Sequence, residues 1–170
     1  MEDYQTMFRK IIEEHRALRE QLGTAEESVS DRVAIDLLRR MRSDLTPGRA
    51  EILSEKMSSL QVVLGGLDKG LKSHFALESN YFPPFLGDLL MRALLLEHRG
   101  ILERLNEARS TVTDVKVAGL SHEELQARDA QVKQAVNALS RAVGEHAAKE
   151  ELLMGMLQKG FEDKGIDISR

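Results

Sequence analysis

The chain repeats itself, and the repeat is carried by histidine and glutamate. EEHRALREQL near the N-terminus resembles LEHRGILERL in the second half, aligning His15 with His98, Arg16 with Arg99 and Glu20 with Glu103. Farther along, HFALESNYFPPFL resembles HAAKEELLMGML, aligning His74 with His146 and Glu78 with Glu150. A lone histidine followed by HxxxE therefore occurs twice, the two histidines being 59 residues apart in the first copy and 48 in the second. Helical residues four apart share one face, so each HxxxE presents an imidazole and a carboxylate together. Two similar helical hairpins, stacked so that each buries the other's apolar face, make an antiparallel, up-down-up-down four-helix bundle.

The apolar spacing agrees with helices at the corresponding places. Met7, Phe8, Ile11, Ile12, Leu18 and Leu22 mark a first helix from Tyr4 to Leu22, with Gly23 as its stop. Val33, Ile35, Leu37, Leu38 and Met41 suggest a short extra helix from Asp31 to Arg42 in the first hairpin connection, which accounts for the longer first copy. Thr46 and Pro47 open a second long helix that Pro83 and Pro84 end after Phe82. Gly65, Gly66 and Gly70 predict a kink or a close helix contact within it. A third helix is expected from Leu86 to Ala108 through Leu89, Leu90, Leu94, Leu95, Ile101, Leu102 and Leu105, then a loop around Thr111 to Leu120. Ser121 with Glu124 forms a capping-box pattern opening a fourth helix to about Leu157. The whole chain, 1–170, reads as one domain, with a core from 4 to 157 and a tail from 158 to 170.

Composition narrows the chemistry. Leu, Ala, Glu and Arg are plentiful and aromatic residues make up only 4%, which favours an all-α protein. With no cysteine, disulfides, iron–sulfur clusters and cysteine nucleophiles are excluded, and any metal falls to His, Asp, Glu or Tyr. A net charge of -4 with both signs interspersed offers no basic stripe to a nucleic acid. MEDYQTMFRK lacks the apolar core of a signal peptide and no run is long enough to span a membrane, so the expected location is cytoplasmic.

Folding the hairpins together can bring His15, His74, His98 and His146 to one level of the core, with Glu78 and Glu150 between them. Six such groups buried without partners would cost several kcal/mol each, by order of magnitude, and divalent cations would satisfy them all. Imidazole and carboxylate suit iron, manganese or zinc, and six donors exceed the needs of one tetrahedral zinc. Two ions are implied, each with positions left for a solvent bridge and an exogenous ligand.

The order H, HxxxE, H, HxxxE resembles the hemerythrin-like family, also called the HHE cation-binding domain, from Tyr4 to about Leu157, and HFALESNYFP looks like that family's second-helix motif. The resemblance implies two non-haem iron ions (Fe2+/Fe3+) joined by an oxo or hydroxo bridge, with His15, His74, His98 and His146 as terminal ligands and Glu78 and Glu150 as bridges. It further implies a small partner such as dioxygen, nitric oxide or peroxide at an open iron position. Oxygen-carrying hemerythrins have a further histidine one turn after the third-helix ligand. Here that place is Leu102, and the matching place after His15 is Arg19. Simple oxygen carriage is therefore set against sensing or scavenging, against turnover of peroxide or nitric oxide, and against storing or donating iron. A metal-free helical module, or one acting through a protein partner or homodimer, stands as the contrasting reading.

The remaining candidates have plainer roles. His122, beside the cap and outside the repeat, is expected in solvent. Glu14 and Glu97 precede a repeat histidine but point about 100° away from it, towards solvent or a supporting role. Glu151 is expected at the surface or as a spare ligand. Tyr81 packs in the core with its hydroxyl at the rim, and Met7, Met57, Met91, Met154 and Met156 read as core filler.

Overall fold

A computed structural model describes residues 4–30, 47–113 and 121–163. Among these residues there are four helices and no strand: α1 (Tyr4–Ser30), α2 (Pro47–Tyr81), α3 (Pro83–Thr113) and α4 (His122–Asp163). α1 packs against α2 and α4, and α3 against the same two, closing the ring of contacts expected of a four-helix bundle. The extra helix at Asp31 to Arg42 and most of the Thr111 to Leu120 loop lie outside the described residues.

The helix ends follow local chemistry, with three corrections, the first being that α3 runs from Pro83 to Thr113 rather than from Leu86 to Ala108, taking Thr111 into the helix. α1 does not stop at Gly23 but continues to Ser30. One glycine costs a helix only about 1 kcal/mol relative to alanine, too little by itself to end one. α4 continues past Leu157 to Asp163. At its start Ser121 N–H donates to Glu124 Oε2 at 2.7 Å and Glu124 N–H to Ser121 Oγ at 3.3 Å, the reciprocal cap read from the sequence. Between α2 and α3 the chain turns at Phe82, whose N–H still bonds the Glu78 carbonyl at 2.9 Å before the two prolines. Gly87 adopts φ 64°, ψ 173°, a conformation that side chains rarely allow, and separates a first turn at Pro83 from the straight part of α3.

The glycine cluster of α2 produces a close approach rather than a kink, and only at Gly70. A Cβ there would sit 3.1 Å from Leu18 Cδ2 of α1, whereas Gly65 and Gly66 face open space.

The core is layered. A larger block contains Leu18 and Leu22 of α1, Leu60, Leu64, Leu67 and Leu71 of α2, Ile101, Leu105 and Val112 of α3, and Val132, Val136, Leu139 and Val143 of α4. A smaller block contains Met7, Ile11, Phe82, Leu86, Met91, Leu94 and Met154. Not every expected inward residue faces in. Ile12, Leu89, Leu90, Leu95 and Met156 are exposed, because Leu94 and Met91 take the inward positions of α3 and Met154 that of α4. Met57 is half-buried against the larger block and Tyr81 against the smaller.

Candidate metal centre

Between the two blocks lies a polar layer. His15 enters from α1, His74 and Glu78 from α2, His98 from α3, and His146 and Glu150 from α4, and none is more than 4% exposed. All six residues singled out in the sequence thus meet in one place. His122 opens α4, but its side chain lies outside the described residues.

The four imidazoles turn the same edge inward. Glu78 Oε1 faces His15 Nε2 at 3.7 Å and touches His74 Nε2, while its Oε2 faces His98 Nε2 at 2.9 Å and His146 Nε2 at 3.9 Å. Glu150 divides in the same way, Oε2 lying 2.9 Å from His15 Nε2 and 3.9 Å from His74 Nε2, and Oε1 lying 3.4 Å from His146 Nε2. Each carboxylate therefore gives one oxygen to the His15–His74 pair and the other to the second pair.

Electrostatics record how tightly the groups are packed. Burial alone would lower His15, but Glu150 and Glu78 outweigh it and raise its pKa to about 9. His74 is raised in the same way by Glu78 and Glu14. Burial would raise Glu78, yet His15, His74 and His98 hold it well below the usual carboxylate range. Burial pushes Glu150 up to about 7 and His146 down to about 4.

Ten buried side-chain nitrogen and oxygen atoms of the described residues have no hydrogen-bond partner, and all ten belong to these six residues. Leaving buried polar atoms unpaired is costly, about 1–3 kcal/mol each. Two sets of four, His15–His74–Glu78–Glu150 and Glu78–His98–His146–Glu150, each offer donor atoms within 4.8 Å of one another, close enough to hold a cation apiece. The donors present therefore fit a pair of metal ions. The family model of the hemerythrin HHE cation-binding domain matches residues 6–157. The chain belongs to that family. No significant match was found among curated proteins or among solved structures.

Against this hemerythrin-like frame, the places of the absent fifth histidine hold no donor for the centre. Leu102 is half-buried against the larger apolar block, and Arg19, largely exposed, pairs with Glu151 at 2.7 Å. Glu151 is neither a plain surface group nor one of the clustered donors, since Oε1 also lies 3.7 Å from His15 Nδ1.

Sequence reasoning left a supporting role open for Glu14 and Glu97 without their partners, and missed Lys149 and Phe75. Glu14 and Glu97 do point away from the histidines they precede, but each reaches the next helix: Glu14 Oε2 lies 2.9 Å from His74 Nδ1 and Glu97 Oε2 lies 3.2 Å from His146 Nδ1. Lys149 Nζ donates to Glu97 Oε1 at 2.7 Å. Phe75 stacks on His98, ring centroids 3.8 Å apart and planes within 5°. The repeated Glu-His dipeptide was the signal available for the two glutamates. No helix among the described residues is long and apolar enough to cross a membrane.

Proposed function

We propose that this hemerythrin-like chain is a non-haem di-iron protein that binds a small ligand, dioxygen, nitric oxide or peroxide, at an open iron position. The observation that carries the reading is the division of Glu78 and Glu150, each with one oxygen towards either histidine pair. In this reading His15 and His74 would hold one ion, His98 and His146 the other, and Glu78 and Glu150 would each contribute to both. The order of the two apolar blocks along each helix, smaller then larger in α1 and α3 and larger then smaller in α2 and α4, supports an antiparallel, up-down-up-down order of the helices.

A donor set of imidazole and carboxylate without thiolate suits iron as it does manganese or zinc, and the likeness to hemerythrins selects iron among them. Bound there, it would supply a redox-active centre with free coordination positions, because two nitrogens and two carboxylate oxygens leave a six-coordinate ion unsaturated. The chain's own residues restrict what enters. Burial of all six donors admits only small molecules, Leu102 keeps the neighbouring volume apolar, and the carboxylates of Glu14 and Glu97 fix the imidazoles so that Nε2 faces inward.

Elemental analysis of protein expressed in iron-sufficient medium, with optical spectra before and after air exposure, tests the proposal. Close to two irons per chain and air-sensitive near-ultraviolet absorption are expected. No metal, or a single zinc, would return the chain to a structural helical module.

A further inference from the structure

Behind the inward-facing Nε2 atoms, the outer edges of the four histidines are supported unequally. His74 Nδ1 has Glu14 at 2.9 Å, whereas His15 Nδ1 makes no hydrogen bond, its nearest carboxylate being Glu151 at 3.7 Å, which Arg19 holds. On the other side His146 Nδ1 has Glu97 at 3.2 Å, but that carboxylate also takes the Lys149 ammonium at 2.7 Å. His98 Nδ1 is buried without any hydrogen-bond partner, and its ring lies against Phe75.

The repeat shows that these differences are substitutions at matching places. Leu77 stands where the second half has Lys149, Ser79 where it has Glu151, and Ala147 where the first half has Phe75. Ser79 spends its hydroxyl on the Phe75 carbonyl of its own helix at 2.7 Å, so it gives His98 nothing.

A carboxylate accepting the outer N–H of an imidazole pushes charge onto the ring and makes the other nitrogen a better metal donor. A carboxylate shared with an ammonium does so less, and since His15 and His98 both lack a hydrogen-bonded acceptor, the positions differ in the unshared Glu14 against the Lys149-paired Glu97. We infer that the two metal positions are inequivalent, with the His15–His74 position binding more tightly and filling first, and Glu14 as its principal positioning residue. The inference rests on the metal-centre reading above and concerns the order within it.

The test is a titration of the metal-free full chain with zinc(II), a diamagnetic probe, followed through the side-chain nitrogen resonances of the histidines by NMR. At one equivalent, the Nε2 signals of His15 and His74 are expected at metal-bound positions while those of His98 and His146 stay free. Glu14→Gln, which keeps an acceptor but removes its charge, should weaken the first position about tenfold and erase the order. Lys149→Leu, which frees Glu97 from its ammonium, should narrow the gap from the other side. Simultaneous filling of both pairs, or filling of His98 and His146 first, would overturn the ordering. Zinc that moves none of the four histidines would overturn the metal centre itself, and the ordering with it.

Discussion

The two apolar blocks that sandwich the His/Glu layer differ in composition as well as size. The larger is built almost wholly from leucine and valine stacked along all four helices. The smaller has three methionines among its buried members and is bounded by the turn at Phe82 and the glycine at 87. Branched side chains have defined rotamers and pack to fixed shapes, while methionine adapts to irregular space. We expect the larger block to carry most of the bundle's stability and the smaller block, which closes one side of the His/Glu layer, to govern access to that layer.

The largest effect is expected at the layer itself. Glu78→Ala removes a carboxylate that faces all four histidines, and both metal content and stability are expected to collapse. Breaking a buried charged network costs about 3–5 kcal/mol, a fall in Tm of roughly 10–15 °C, read by calorimetry beside elemental analysis. Unchanged metal content would end the bridging assignment.

Leu105→Ala, in the larger block, is expected to cost about 3 kcal/mol in denaturant unfolding and leave the metal content intact. Met154→Ala, in the smaller block, should cost about 2 kcal/mol but speed metal loss to a chelator several-fold. If the leucine variant released metal faster than the methionine variant, the division of labour would be reversed.

Acidity sharpens the same contrast. His15 is raised from 6.5 to about 9, so in the metal-free protein its protonated form contributes stability that is fully present below about 6.5 and lost as pH rises through about 9. Glu150, raised to about 7, loses its contribution in the same direction from 4.5 upward. Metal binding must expel these protons, so metal affinity should rise with pH over that range and the Tm gap between loaded and metal-free protein should widen by several degrees. Parallel Tm profiles would contradict it. The smallest effect is expected from Arg19→Ala, whose exposed pair with Glu151 is worth under about 1 kcal/mol and should shift Tm by no more than about 2 °C.

Much of this arrangement was legible in the sequence because the repeat supplied what a single motif lacks. One HxxxE identifies a helix face, but two copies with a lone histidine ahead of each specify how the faces meet. Inward residues within runs of leucine were less legible. Leu94 and Leu95 differ by one position, about 100° of helix, and only packing against α2 and α4 decides that Leu94 is buried. The partners of Glu14, Glu97 and Lys149 were hidden for a related reason, since each acts on a neighbouring helix and separations of 60, 49 and 52 residues leave no local trace. α1 outran Gly23 because a single glycine's cost of about 1 kcal/mol is too small to stop a helix.

The layering has a consequence for how the bundle finds its alignment. Leucine blocks alone are permissive, since a helix that slips by one turn, about 5.4 Å, still meets apolar neighbours. The His/Glu layer removes that freedom. Slippage of any one helix would press an imidazole or carboxylate into a leucine layer and strand its former neighbours, at a cost of several kcal/mol. The six residues thus act as a notch that sets the register of four long helices, a function they perform in the chain before any ion arrives.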